Sequence, residues 1–333
     1  MLDVMLRPAT AADWPHIARL AGRDPGEGEA LARYVDETFD PGLALVAVPP
    51  GAEIPVGAAV AGVTRIARPP AAGGGPPAPE REPGGGEREG RIVLVAVDPS
   101  RRRRGAGRRL LDGALDELRA RGVRRVTADV DGTQAEGLAL FRRAGFGAAG
   151  ESLSLLLPAA AAAALRTGPT GPPAGDVVRP LALDDLPHLG GLLIQLGIER
   201  AEQPHDELPA LTPAQLEAWL MRPATLAYAV WEARDPRTPL GLAWATRRPD
   251  DAILRFAGVQ EDARRQGIGR TLLAALARDL DARPLRVNLH DPAAERDFFR
   301  NLGFVAERMT HHLLTELQPG TDSATTPRRV ELG

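Results

Sequence analysis

The chain contains no cysteine. Thiol nucleophiles, disulfides and thiolate metal sites are therefore excluded, while the redox compartment stays unspecified. It contains no lysine either, so all 41 basic side chains are arginine. That removes Schiff-base chemistry and a phosphate-loop lysine. Asparagine is nearly absent while Ala, Gly, Pro and Arg abound, a pattern of high-GC coding rather than adaptation. No apolar run reaches membrane-spanning length, and the start MLDVMLRPATAADW has no basic-then-apolar leader. A cytoplasmic protein is expected. The net charge of -3 gives no basic excess, which argues against nucleic acid as the main partner.

What is present is written twice. Residues 97–111 read VDPSRRRRGAGRRLL and residues 259–273 read VQEDARRQGIGRTLL. ALFRRAGF at 139–146 is echoed by DFFRNLGF at 297–304, and LRPATAADWPHIARL from Leu6 by VRPLALDDLPHLGGL from Val178. Three landmarks in one order mark two copies of a single domain. The expected boundaries are 4–157 for the first copy and 176–318 for the second. Residues 158–175 would form an Ala/Pro/Gly-rich linker, and 319–333 a disordered tail. Residues 69–90 are too poor in apolar side chains to fold and read as a disordered insertion in the first copy.

Each copy opens with a short strand and an acid-capped helix, followed by three strand-like runs. A helix then carries Leu110, Leu111, Ala114, Leu115 and Leu118, or Leu272, Leu273, Leu276 and Leu280, on one face. A strand, a helix and a last strand complete the unit. Mostly antiparallel strands with interleaved helices predict an α/β (α+β) domain rather than a doubly wound nucleotide fold.

Arg-x-x-Gly-x-Gly between a strand and a helix suits a diphosphate. Glycine lets backbone amides approach closely, and the first-turn donors and helix dipole favour an anion. The loop residues are Arg102, Arg103, Arg104, Gly105, Ala106, Gly107 and Arg108 in the first copy. In the second they are Arg264, Arg265, Gln266, Gly267, Ile268, Gly269 and Arg270. Flanking arginines add charge-assisted contacts.

Together, the doubled loop and the doubled Phe-x3-Gly-Phe segment resemble the GNAT superfamily of CoA-dependent N-acetyltransferases, some of which join two such domains in one chain. The resemblance implies splayed fourth and fifth strands with acetyl-CoA as cosubstrate between them. Its pantetheine arm would lie along Val95, Ala96 and Val97, or Ala257, Gly258 and Val259, as an added strand would. No metal is implied. The acceptor would be a primary amine of a small molecule or peptide, attacking directly in a ternary complex. An alkylammonium has a pKa of ~10, so a base is needed.

Base candidates differ between the copies. Asp129 lies on the first copy's fifth strand, where relatives carry a base. The second copy offers Val287 or Arg286 there, leaving Asp251, His290 and Asp291 as available groups. Phe141 and Phe299 occupy positions where relatives place a proton-donating tyrosine, and Gln134 stands nearest the usual asparagine. The RRQGIG loop and a segment around His205 and Trp219 favour the second copy as the main reaction centre, and Asp129 favours the first. The alternatives are a CoA-binding sensor or scaffold that has lost catalysis, and an acyl- or aminoacyltransferase of the same fold. His311-His312 is not read as a metal pair, because adjacent strand residues face opposite sides.

Overall fold

The computed structural model describes residues 3–66, 87–167, 175–196, 213–280, 283–290 and 292–318. Most of the expected insertion (69–86), part of the expected linker (168–174) and the tail (319–333) lie outside them, as do His205 and Asp291.

The first half runs β1 (Met5–Pro8), α1 (Trp14–Leu20), α2 (Gly28–Thr38), β2 (Gly42–Val48), β3 (Gly57–Ile66), β4 (Glu87–Val97), α3 (Ala106–Ala120), β5 (Arg125–Asp131), α4 (Ala135–Arg143) and β6 (Gly147–Leu157). After α5 (Ala159–Thr167) the order repeats: β7 (Val177–Pro180), α6 (Leu186–Gln195), α7 (Pro213–Leu220), β8 (Thr225–Trp231), β9 (Pro239–Arg247) and β10 (Ala252–Val259). It ends with α8 (Ile268–Asp279), β11 (Leu285–Leu289), α9 (Pro292–Asn301) and β12 (Val305–Glu316). Residues 87–90, expected in the disordered insertion, instead open β4 and pair with β3 through Glu87↔Ile66 to Gly90↔Val63. Residues 159–167, expected in the linker, form α5, whose Ala162 and Leu165 are buried.

There are two compact units, Met1–Gly150 with His311–Gly333, and Glu151–Thr310. The strands of the first run β1-β2-β3-β4-β5-β12, and those of the second β6-β11-β10-β9-β8-β7. The pairs β4–β5 and β10–β11 are parallel, whereas β1–β2, β2–β3, β3–β4, β6–β11, β7–β8, β8–β9 and β9–β10 are antiparallel.

These units differ from the boundaries 4–157 and 176–318. Most of β6 belongs to the second unit and the end of β12 to the first. Leu153, Leu155 and Leu157 are buried with Leu272, Leu276 and Leu285. Leu313 and Leu317 are buried with Leu110, Leu118 and Val126. Each segment buries leucines at even spacing, Leu153, Leu155 and Leu157 in one and Leu313 and Leu317 in the other, so the inward pattern alone does not tell which core each joins.

The repeated landmarks have structural causes. Arg7 clasps Asp13 at 2.7 and 2.9 Å, and Arg179 clasps Asp185 at 2.6 and 2.7 Å, tying each first strand to its first helix. In each Phe-x3-Gly-Phe segment the glycine has φ +93° and ends a helix. The Phe146 amide donates to the Phe141 carbonyl and the Phe304 amide to the Phe299 carbonyl, both at 3.1 Å. The two rings of each pair then meet edge to face, 5.0 and 5.1 Å apart. This is a Schellman closure with its apolar contact.

Two expectations follow. Leu313→Ala should destabilise the N-terminal unit by about 2–4 kcal/mol despite lying near the chain's other end, measured by denaturant unfolding. The Arg7 hydrogen bond holds the Asp13 carboxyl at about 2, against an ordinary 3.8. Its contribution to stability is complete above the ordinary value and is lost as pH falls through about 2. Melting temperature should therefore decline between pH 4 and 2, less steeply in Asp13→Asn.

Candidate active site

One extra residue in β4 opens the site. Val60 pairs with Leu94 and Ala61 with Ile92, so Val93 bulges out of register. Parallel pairing with β5 runs from Glu89↔Arg125 to Ile92↔Ala128 and ends there. Unit two repeats this, with Arg255 extra between Leu254 and Phe256 and the β10–β11 pairing ending at Leu254↔Val287. The expected splay is present in both units. A bulge turns the strand and releases its far edge from the ladder.

In the N-terminal unit the divergence forms a cleft of about 1020 Å³. The β4 edge from Ile92 to Val97 lines one side, and α4 residues Gly137, Ala139, Leu140 and Phe141 line the other. At one end stand Arg101, Arg102, Arg103, Gly105, Ala106, Gly107 and Arg108, and Asp129 and Gln134 also border the space. Loop shape follows from two left-handed residues, Arg103 at φ +60° and Gly105 at φ +90°. Gly105 caps α3, so the amides that follow it belong to the helix's unbonded first turn. Arg102 Nε anchors the loop on the Val97 carbonyl at 3.1 Å, Arg103 pairs with Glu136 on α4, and Arg108 pairs with Asp112.

The C-terminal loop is built alike. Arg265 has φ +65°, Gly267 φ +86°, and Arg264 Nε reaches the Val259 carbonyl at 3.2 Å. Gln266 Nε2 donates to the Asp262 carbonyl. Ala257, Gly258 and Val259 occupy the β10 positions matching Val95, Ala96 and Val97, and Ile268 to Arg270 form the first turn of α8. The Phe298 ring on α9 lies where a side chain on Gly269 would meet it, at 3.0 Å.

Past the bulge the two units differ. Asp129 Oδ2 accepts from Arg91 at 2.5 Å, and Asp129 Oδ1 lies 2.7 Å from His312 Nδ1. Burial pushes this carboxyl up, but the His312 hydrogen bond and the Arg91 charge outweigh burial and leave it below the ordinary range. The matching registers, Ile92↔Ala128 and Leu254↔Val287, make Asn288 the counterpart of Asp129, not Val287 or Arg286. Asn288 Oδ1 accepts from Ser154 Oγ at 2.9 Å. The same registers set Ile253 against Arg91.

The other base candidates fall elsewhere. Asp251 precedes β10 at the closed end, buried in an ion pair with Arg286, which also binds Glu307 at 2.9 Å. Its counterpart Glu89 likewise pairs with Arg125, at 3.4 Å. His290 follows β11 and is half-buried. Phe141 and Phe299 are buried in their aromatic pairs and offer no proton. The sequence reading missed Arg91 and His312. His312 arrives on the exchanged strand, 183 positions from Asp129, so no local signal marks it. Among the described residues, no three His, Asp or Glu side chains gather as metal ligands. No helix among them is long and apolar enough to cross a membrane.

Known proteins share this architecture. Residues 16–146 match the model of the acetyltransferase (GNAT) family, and residues 227–306 that of the acetyltransferase (GNAT) domain. The chain belongs to the GNAT superfamily and carries two of its domains in tandem. A stretch of 57 residues is 51% identical to mycothiol acetyltransferase of Beutenbergia cavernae, covering 17% of this chain and only 19% of that protein. A GCN5-related N-acetyltransferase from Sphaerobacter thermophilus superposes with a TM-score of 0.61 at 16% identity, covering 97% of this chain and 98% of that one. A tandem GNAT protein from the clavulanic acid biosynthesis pathway gives 0.56 at 18% identity, covering 95% and 99%. At such identities the likeness is one of fold.

A bulky acidic side chain at either left-handed glycine should block its loop, through backbone strain and repulsion of phosphate. Calorimetry with CoA should show each of Gly105→Glu and Gly267→Glu weakening one site by at least about tenfold, and the double variant losing both.

Proposed function

We propose that the chain is an acetyl-CoA-dependent N-acetyltransferase whose N-terminal unit transfers acetyl to a primary amine of a small molecule. The observation that carries this is the continuous cleft from the arginine-flanked glycine loop, along the unpaired β4 edge, towards Asp129. These residues fit acetyl-CoA: loop amides and Arg101, Arg102 and Arg103 for its phosphates, and the Val93–Val97 edge for pantetheine. The thioester supplies an activated acetyl carbonyl. An amide on the β4 edge polarises that carbonyl, and the Asp129 carboxylate attracts the incoming ammonium and opens its route for proton loss.

The C-terminal unit keeps the loop geometry but has Ile253, Asn288 and Ser154 where the first has Arg91, Asp129 and His312. We assign it CoA binding without turnover, the reading specific to this neutral pair. The sequence preference for the C-terminal copy rested on its loop and on His205 and Trp219. The ionised centre favours the N-terminal one instead.

The test is steady-state turnover of acetyl-CoA against a panel of small amines. Gly105→Glu and Asp129→Asn should each lower kcat/KM by about 10²-fold or more, the range for a lost acid–base group, while Gly267→Glu keeps most activity. The reverse pattern would move the reaction to the C-terminal unit.

A further inference from the structure

Strand alternation fixes the side from which an amine reaches each site. Ala128 and Val130 are buried with Leu110 and Leu118 of α3, so Asp129 between them faces away from α3. Leu94 packs on that same far face with Ile17 and Val60, and it borders the cleft. An amine held at Asp129 therefore meets the β4 edge on the Leu94 side. In the C-terminal unit Val287 and Leu289 are buried with Leu272 and Leu276 of α8, which sets Asn288 on the corresponding face. The bulges at Val93 and Arg255 align Leu94 with Phe256, Val60 with Trp244 and Ala96 with Gly258.

That face of the C-terminal unit is filled by aromatic rings. Phe256 stacks on the buried Trp244 with centroids 4.5 Å apart and planes at 23°, and Trp219 of α7 meets Trp244 edge-on at 6.4 Å. The Phe256 ring folds back along β10. A Cβ on Gly258 would stand 2.6 Å from Phe256 Cζ and 2.7 Å from Cδ1 of Leu196, just past α6. The ring thus takes the space that the Ala96 methyl holds in the N-terminal unit, and only glycine lets it lie on the strand. Where one unit has Val60, Leu94 and Ala96, the other has Trp244, Phe256 and Gly258, a gain of ring and loss of methyl that close packing admits only together. The Arg222 guanidinium already lies over Trp219, 5.6 Å from the ring centroid, so a cation occupies that face.

We propose that Phe256, laid over Gly258, is the specificity-determining residue of the C-terminal unit: its ring stands where an amine would approach, so this unit holds a CoA thioester with the carbonyl shielded. This assignment rests on the reading of that unit as a CoA binder without turnover. It gives that reading a steric cause besides the neutral pair of Asn288 and Ser154. Attack on a thioester needs the nitrogen about 3–3.5 Å from the carbonyl carbon along an open line. Ring carbons on the acceptor face close that line. The crowding does not extend to the cap of the loop, since a Cβ on Gly267 would meet no described atom within 4 Å. The ligands of this site are then CoA and its short acyl thioesters, kept rather than consumed.

The test uses the full chain carrying Gly105→Glu, which blocks the N-terminal loop, and hydroxylamine, a small nucleophile that cleaves free acetyl-CoA without a catalyst. With the protein in saturating excess, bound acetyl-CoA should react at least about tenfold more slowly than free acetyl-CoA, as a thioester closed off from solvent nucleophiles does. Phe256→Leu with Gly258→Ala installs the residues of the N-terminal unit. It should bring the rate to within about twofold of free acetyl-CoA, while the Kd for CoA from calorimetry changes by less than about threefold. Phe256→Ala only removes the ring, so it should expose the thioester likewise even if the double variant is overpacked. Bound acetyl-CoA that reacts as fast as free acetyl-CoA in the Gly105→Glu protein, or protection that persists in both Phe256 variants, overturns this assignment alone. Calorimetry showing no binding of CoA by the Gly105→Glu protein overturns the CoA-binding reading of the C-terminal unit and this assignment with it.

Discussion

Val93 is one residue too many for the strand that faces it, and the site follows from that surplus. Up to Ile92, β4 is held on both edges, by β3 and by β5. A residue that cannot join the ladder turns the strand, and β5 cannot follow. Backbone donors and acceptors from Val93 to Val97 then border the cleft instead of a neighbour. Backbone groups left unsatisfied are costly where water is excluded, so this edge favours a ligand able to pair as a strand does. Under the proposed reading, the glycine loop at the end of the same strand sets the direction in which acetyl-CoA lies. Arg255 repeats the surplus in the second unit, where the pairing of β10 with β11 ends at the matching residue.

Exchange of the final strands adds a constraint of a different kind. Each unit takes its sixth strand from the end of the other's sequence copy. The burial of Leu313 and Leu317 with Leu110 and Leu118 makes the N-terminal core depend on residues of the second sequence copy. Any side chain carried by that segment is placed by core packing rather than by a loop. Packing fixes position more tightly than a surface turn does, and His312 benefits from it.

Much of this was legible in the chain. The leucine spacing gave both central helices, and the doubled glycine loops marked the helix starts that the structure caps with left-handed residues. The Phe-x3-Gly-Phe segments were legible as markers, and their cause, a Schellman closure locking two rings, appears only in the fold. Three readings failed for physical reasons. Residues 87–90 look too polar and glycine-rich to fold, yet β3 supplies a ladder that makes them a strand. The strand exchange was hidden because buried leucines at even spacing carry no address. The counterpart of Asp129 in the second copy was sought at Val287 or Arg286, because sequence spacing does not show the register that places Asn288 there.

That register gives the comparison between copies its weight. Arg91, Asp129 and His312 form a charged trio, and Ile253, Asn288 and Ser154 occupy the same three places with no formal charge. A half-buried carboxylate is retained at a cost in solvation and needs partners to offset it. A neutral amide bonded to a hydroxyl carries no such cost and serves equally well to join two strands. Structure alone would therefore be satisfied by the cheaper arrangement, as the C-terminal unit demonstrates on the same backbone. The charged version in the N-terminal unit needs a reason beyond holding β5 to its neighbour. Asp129 borders the cleft, and the handling of an incoming cationic amine, proposed above, would be such a reason.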